Sequence, residues 1–110
     1  MAYDEALADR MRDALADRDD VTERKMFGGL AFLLSGNMCC GVIGSNAMLR
    51  LGEEAVDAAL DEPHTRPMDF TGRPMKNMVY VEPEALEDDG DVRRWVGRAV
   101  AFAGSLPPKL

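Results

Sequence analysis

The side chains best suited to nucleophilic chemistry are a pair of cysteines and one histidine. Cys39 and Cys40 are the only cysteines of the 110-residue chain, and His64 is its only histidine. A thiol activated by an imidazole base is a recurrent nucleophile, so Cys40 and His64 form the candidate pair. Neighbouring strand residues face opposite sides of a sheet, so we expect one thiol in the core and the other on the opposite side. The simpler interpretation of both cysteines is that they are small apolar packing groups.

The same residues argue against a metal site. A structural zinc ion needs about four ligands, and two adjacent cysteines with one histidine lack the usual two-residue gap of a chelating pair. Neighbouring residues of a strand also point to opposite faces, so a disulfide between these two cysteines would be strained. We therefore expect reduced thiols, no bound metal and no cofactor.

The segment from Arg66 to Lys76 has the most unusual composition of the chain. It contains two Arg-Pro-Met triplets, and Asp69 lies between them. Guanidinium groups bind carboxylates and other anions through paired hydrogen bonds, so this segment is a candidate anion site. Alternatively, its arginines pair with Asp69, its methionines pack inwards, and His64 only caps the preceding helix. The candidate ligand-binding set is Cys40, His64, Arg66, Asp69 and Arg73.

A pair of glycines, Gly28 and Gly29, suggests a phosphate-binding loop. No Lys-Ser or Lys-Thr follows them and no helix begins there, so the pattern does not fit such a loop. We favour a structural role, a bulge or tight crossing between strands where glycine allows positive φ and close backbone approach. The residues assigned to structural motifs are Met26, Phe27, Gly28, Gly29, Gly72 and Pro74.

Composition limits the class of protein further. Twenty acidic and 13 basic residues give a formal net charge of -7, which disfavours direct binding to a phosphate backbone. No apolar run approaches the roughly 20 residues that cross a bilayer, and the acidic N-terminus is unlike a signal peptide. We expect a cytoplasmic protein, with no membrane partner, that forms one domain over residues 1–110.

The elements that position these residues follow from periodicity and turn signals. Helices are predicted at Asp4–Arg18, at Glu53–Leu60 and after Asp91. Strands are predicted at Thr22–Met26, Leu30–Leu34, Met38–Ile43, Ala47–Leu51 and Met75–Val81. The segment between Pro63 and Pro74 is expected to be irregular. The order α-β-β-β-β-α-β-α indicates an α+β fold, in which terminal helices pack on a mostly antiparallel sheet containing a three-strand meander.

Several of these segments together resemble the N-terminal domain of the TfoX/Sxy family. The resemblance extends from about Leu7 to Phe102. The segments that carry it are Arg24–Gly29, Gly36, Ala47–Leu51, Phe70–Met75 and the helix of Trp95.

This resemblance implies a small α+β domain of a cytoplasmic bacterial protein. In well-known members it implies a role in competence and transcription regulation, together with the cyclic-AMP receptor protein at promoters. Those members carry a second, helical domain, whereas this chain ends at Leu110. We therefore expect a non-catalytic regulatory module that acts through protein contacts, with a homodimer as one form. The alternative is a small-molecule-binding domain or minor enzyme with a pocket around Cys40, His64, Arg66 and Arg73.

Overall fold

A computed structural model describes residues 3–26, 28–70 and 73–108, with the side chains of all but residues 69, 70 and 73–75. Within these ranges a single sheet of six strands is accompanied by three α-helices. The helices are α1 (Glu5–Ala14), α2 (Glu53–Leu60) and α3 (Asp89–Ala103). The strands are β1 (Val21–Met26), β2 (Gly29–Leu34), β3 (Asn37–Ile43), β4 (Asn46–Arg50), β5 (Thr65–Phe70) and β6 (Arg73–Val81).

The sheet has the strand order β1-β2-β3-β4-β6-β5, and every pair of neighbouring strands is antiparallel. The predicted α+β class and the meander are confirmed. The prediction of an irregular segment from Pro63 to Pro74 is wrong, because β5 pairs with β6 there. A proline is compatible with β5 because this strand lies at the edge of the sheet, where one side of the backbone needs no ladder partner.

Helix α1 ends at Ala14 and is therefore shorter than the predicted helix, which extended to Arg18. The Asp4 carboxylate caps it by accepting hydrogen bonds from the backbone N–H groups of Ala6 and Leu7, at 2.9 and 3.2 Å. After Ala14 the backbone continues in tighter turns, such as the bond from the Arg18 N–H to the Leu15 carbonyl at 3.1 Å. Tightening of this kind is common at the C-terminal end of a helix, where the last carbonyl groups have no N–H donor four residues further along the chain.

One face of the sheet, the helix face, carries the main core. Helices α1 and α3 pack against each other and against β3, and α2 packs on β5 and β6. Burial of large apolar side chains contributes on the order of 2 kcal/mol each. The largest fully buried ones on this face include Trp95, Phe32, Met11, Leu34 and Leu49. None of the described helices is long and apolar enough to cross a membrane.

Two arginines that flank Trp95 connect α3 to the end of α2. The Trp95 side chain is 1% exposed, and the guanidinium groups of Arg94 and Arg98 lie 5.1 and 4.3 Å from its ring centroid. Both arginines donate to the carboxylate of Glu62, just beyond α2, at 3.1 and 2.7 Å. The end of α2 is thereby tied to the middle of α3. In the part of the chain that the structure describes, Trp95 Nε1 is the only buried side-chain polar atom without a hydrogen-bond partner.

The other side of the sheet, here called the methionine face, carries a second apolar cluster. Its buried members are Ala31, Met48, Met68 and Met78. Its half-buried members are Met26, Leu33, Met38, Ile43 and Tyr80. No residue of α1, α2 or α3 belongs to this cluster. Strand β2 is therefore apolar towards both faces, which explains its continuous apolar sequence.

Candidate functional site

The two cysteines lie at a β-bulge. Phe32 of β2 is opposite Cys40, but its neighbour Leu33 is opposite Met38, so Cys39 is an extra residue in β3. A bulge of this kind changes the alternation of side chains. Both thiols therefore join the helix-face core, at 1% and 0% exposure. The prediction that they face opposite sides of the sheet is wrong, because it assumed a regular strand.

The thiols are free and belong to the same buried core. Interaction with the Cys40 thiol lowers the pKa of Cys39 despite the opposing effect of burial, and the charges of Arg18 and Arg50 act in the same direction. Interaction with the Cys39 thiol and complete burial raise the pKa of Cys40 well above its ordinary value. Cys40, the candidate nucleophile, is thus the thiol held more firmly in its protonated form.

His64 and Arg66 meet at a carboxylate on the surface. His64 Nδ1 lies 3.9 Å from Glu82 Oε1, and Arg66 Nε lies 3.3 Å from Glu82 Oε2. The Arg66 guanidinium also lies over the Tyr80 ring, 5.5 Å from its centroid. The Thr65 hydroxyl caps the end of α2, because it lies within hydrogen-bond distance of the Ala59 carbonyl, at 2.9 Å, and of the Glu62 carbonyl just beyond the helix, at 2.7 Å. His64 is therefore not needed for that role.

The structure does not bring Cys40 to this surface group. The order β3-β4-β6-β5 separates Cys40 from Arg66 by three strand spacings, about 14 Å. Cys40 faces the helices, whereas Arg66 is opposite Tyr80 on the methionine face. The side chains of Asp69 and Arg73 lie outside the described residues, so their part in an anion site stays a prediction. Among the described side chains, no three His, Cys, Asp or Glu groups lie close enough to hold a metal ion.

The glycine motif forms the turn between β1 and β2. Gly28 has a φ of 75°, in the left-handed region, and Gly29 faces the backbone of β3. A Cβ on Gly29 would collide with the Val42 carbonyl oxygen. Of the other motif residues, Phe27 and Gly72 lie outside the described residues, and Pro74 is described only as a backbone position in β6.

A groove of about 620 Å³ opens on the methionine face beside β1, and we call it the sheet groove. Its apolar floor is formed by Met26, Leu33 and Met38, all half-buried. Its polar lining is formed by Thr22, Glu23, Arg24, Asn37 and Arg50. The meander therefore produces one surface that combines flexible apolar side chains with two guanidinium groups.

The charges of the sheet groove are not balanced within the groove. Arg24 is exposed and has no ion pair among the residues that the structure describes. Arg50 is half-buried, donates to the Met38 carbonyl at 3.4 Å and lies over the Phe102 ring. The Glu23 carboxylate accepts two hydrogen bonds from Arg12, at 2.7 and 2.8 Å, and this pairing lowers the pKa of Glu23. In a chain with a net charge of -7, this groove is locally positive.

Comparison with known proteins identifies the family. The model of the TfoX N-terminal domain matches residues 13–103, which is most of the chain. This chain belongs to that family. No curated protein and no solved structure matches it. The match confirms the family to which the sequence motifs pointed, and all the residues that line the sheet groove lie within the matched TfoX N-terminal domain.

Sequence reasoning about this TfoX N-terminal domain missed the groove. Arg24 was assigned to a strand and to a segment of the family resemblance, Met26 to a structural motif, and Arg50 to a strand pattern. One signal was present: Thr22, Arg24 and Met26 are alternate residues of a strand, so they share a face. What the sequence did not show was that Leu33 and Met38 would lie on the same side, because the bulge at Cys39 changes the alternation of β3.

Proposed function

We propose that this TfoX N-terminal domain is a non-catalytic regulatory module that binds another protein through the sheet groove. One observation carries the proposal: a half-buried apolar floor lies between two guanidinium groups on a face whose apolar cluster contains no helix residue. Apolar surface rimmed by polar groups is typical of interaction sites. Methionine, which supplies Met26 and Met38, adapts to differently shaped partners.

The size of the surface fits a transient complex. Completing the burial of Met26, Leu33 and Met38 is worth on the order of 1 kcal/mol each, because each is already partly covered. Charge-assisted hydrogen bonds to Arg24 and Arg50 add on the order of 1.5–3 kcal/mol each before the cost of association. Reversible binding of this strength suits regulation.

The partner that the family resemblance suggests is a transcription regulator, and a homodimer is the other form that we consider. The free thiols of Cys39 and Cys40 are compatible with a reducing compartment, so we propose that the protein acts in the cytoplasm. A role in competence belongs to the same proposal and rests on the family alone.

Photo-crosslinking tests whether the groove contacts a protein. A photoreactive amino acid is placed at Thr22, which is exposed in the groove, and at Ala101, which is exposed on α3, as a matched control. After irradiation in cells, we expect a discrete adduct from the Thr22 position, with the partner identified by mass spectrometry, and none from the Ala101 position. No adduct at Thr22, or the same adducts at both positions, would contradict the proposal.

A second candidate function is binding of a small anion in the same groove. The volume of about 620 Å³ is typical of ligand sites, and Arg24 and Arg50 could hold a carboxylate. Thermal unfolding with millimolar succinate as the probe distinguishes binding of a small anion from binding of a protein. A raised Tm that Arg50→Gln abolishes would favour the small ligand, whereas an unchanged Tm supports the protein-binding module.

A further inference from the structure

We infer that an extended acidic segment of the partner protein adds to the open edge of β1 as a further strand. Side chains of this added strand then reach into the sheet groove beside β1. This inference rests on the proposed function and specifies its partner. It is carried by three features that occur together: an open sheet edge, an unbalanced positive charge along it, and an apolar floor beside it.

The open edge is supplied by β1, the outermost strand beside β2. One side of its backbone pairs with β2, and the N–H and C=O groups on the other side have no strand partner in the described sheet. Such an edge is a template for an extended peptide, whose main chain supplies affinity while alternate side chains supply specificity. Thr22, Arg24 and Met26 are the alternate residues of β1 that line the groove.

The charge along β1 selects the chemistry of the added strand. Arg24 lies on the groove side and Lys25 on the opposite side, both are exposed, and neither has an ion pair among the described residues. Glu23, the acid of this strand, is already paired with Arg12. Opposite charges facing each other across strands are stabilising. Acidic residues opposite Arg24 and Lys25 therefore complement the site when apolar residues flank them, one opposite Met26 and one opposite Thr22, the neighbour of Leu33 across the strands.

A second copy of this chain fits the edge less well. Antiparallel pairing of β1 with itself about a two-fold axis would place a central residue opposite its own copy. Centred on Arg24, the pairing opposes two arginines, and centred on Glu23 it opposes two glutamates. Centred on Thr22, it places Arg24 opposite Asp20, whose carboxylate is already paired with Arg18. Like charges directly opposite each other are destabilising. The edge charges therefore disfavour self-pairing and leave an acidic strand from another protein as the better occupant.

A nucleic acid is a poorer match as well. Phosphate-backbone binding relies on many cations, whereas the groove and its edge offer Arg24, Lys25 and Arg50 beside an apolar floor. The remainder of the chain is strongly acidic, with a net charge of -7. A peptide in which two adjacent acidic residues are flanked by apolar residues matches both parts of the surface.

Peptide display on the folded full chain tests this inference. A random-peptide library is selected on the wild-type protein, and the enriched peptides are measured against Arg24→Glu and against Arg93→Glu. Arg93 is a matched control because it is exposed on α3 and has no ion pair in the described part of the chain. We expect peptides in which two adjacent acidic residues are flanked by apolar residues, with about tenfold weaker binding to Arg24→Glu only, and with affinity that falls as salt is added.

Hydrogen exchange on the complex supplies the second readout, since strand addition should slow exchange of backbone amides of β1. The inference is overturned if the peptides are basic or uncharged, if both variants bind equally, or if β1 gains no protection. It is also overturned if the wild-type chain sediments as a dimer that Arg24→Glu dissociates. If display fails while crosslinking at Thr22 still captures a partner, the proposed function stands and the acidic strand does not.

Discussion

Cys39 and Cys40, although adjacent in β3, both direct their thiols into the core on the helix face of the sheet. Adjacent strand residues reach the same side only because the bulge opposite Phe32 and Leu33 inserts one residue into β3. The bulge therefore creates a buried pair of thiols while it also adjusts which side chains of β3 face the groove.

The cysteine pair should resist thiol reagents in the folded protein. Both side chains are at most 1% exposed, so labelling requires the structure to open. When an opening admits the reagent but leaves the two thiols in their native surroundings, Cys39 should react before Cys40, because the pKa of Cys39 is lowered and that of Cys40 is raised. Labelling with a disulfide reagent, followed by peptide mapping, measures both rates. Rapid labelling of either thiol at neutral pH without denaturant would contradict this and would revive the nucleophile hypothesis.

Two glycines should respond to alanine in opposite directions. In Gly29→Ala the new Cβ meets the Val42 carbonyl oxygen, which belongs to the sheet backbone and cannot easily move. We expect a loss of about 1–3 kcal/mol in the free energy of unfolding. In Gly97→Ala, on the exposed side of α3, nothing lies within 4 Å of the new atom, and a gain of about 0.5–1 kcal/mol is expected. Urea unfolding measures both, and equal effects would contradict the close crossing at Gly29.

Acid should weaken the contact between α2 and α3. Burial alone would raise the pKa of Glu62, but the hydrogen bonds from Arg98 and Arg94 outweigh it and lower the pKa below the ordinary 4.5. A lowered folded-state pKa adds stability that is fully present above the unfolded pKa and is lost as the pH falls through the folded one. The advantage of the wild type over Glu62→Gln should be on the order of 0.5 kcal/mol at neutral pH, and it should disappear once the pH falls below the folded-state pKa of Glu62.

A matched control for that experiment is Glu84→Gln, since Glu84 is exposed and has no ion pair among the described residues. Its free energy of unfolding should follow the wild-type value over the same pH range. A constant difference between the wild type and Glu62→Gln at all pH values would show that Glu62 acts through packing and not through its charge.

The backbone at position 64 should tolerate glycine and asparagine but not valine. His64 has a φ of 62°, and its carbonyl accepts a hydrogen bond from the Glu82 N–H at 2.8 Å, where β5 begins. Left-handed backbone costs a β-branched residue about 1–2 kcal/mol, whereas Gly and Asn adopt it readily. Chemical denaturation should therefore rank His64→Gly and His64→Asn near the wild type, and His64→Val below it. If His64→Val is as stable as the wild type, the strain argument fails.

Much of the fold could be predicted because local patterns and global structure agree. The turns at Ser35-Gly36 and Gly44-Ser45 define the meander, and Gly36 and Gly44 have the positive φ values of 84° and 56° that such turns use. Strand β5 was missed because Pro67 and Pro74 outweighed the other signals in its region. Its pairing with β6 depends on a position at the sheet edge, which a single sequence does not reveal.

The candidate site was harder to predict than the fold. Sequence reasoning grouped Cys40 with His64 and Arg66 by chemical type, but strand order and side-chain direction separate them. The sheet groove joins residues from β1, β2, β3 and β4, and its shape depends on the bulge at Cys39. A bulge has no distinctive residue in this chain, so side-chain direction beyond it could not be inferred from alternation.

The position of Trp95 makes the protein a convenient object for optical measurement. It is the only tryptophan of the chain, and in the native state it is shielded from water and flanked by Arg94 and Arg98. Its fluorescence should therefore shift to the red as α3 separates from the sheet, without any added dye. Because the groove lies on the far side of the strands, the same emission should stay nearly constant when a ligand docks there, so unfolding and binding can be followed separately in one cuvette.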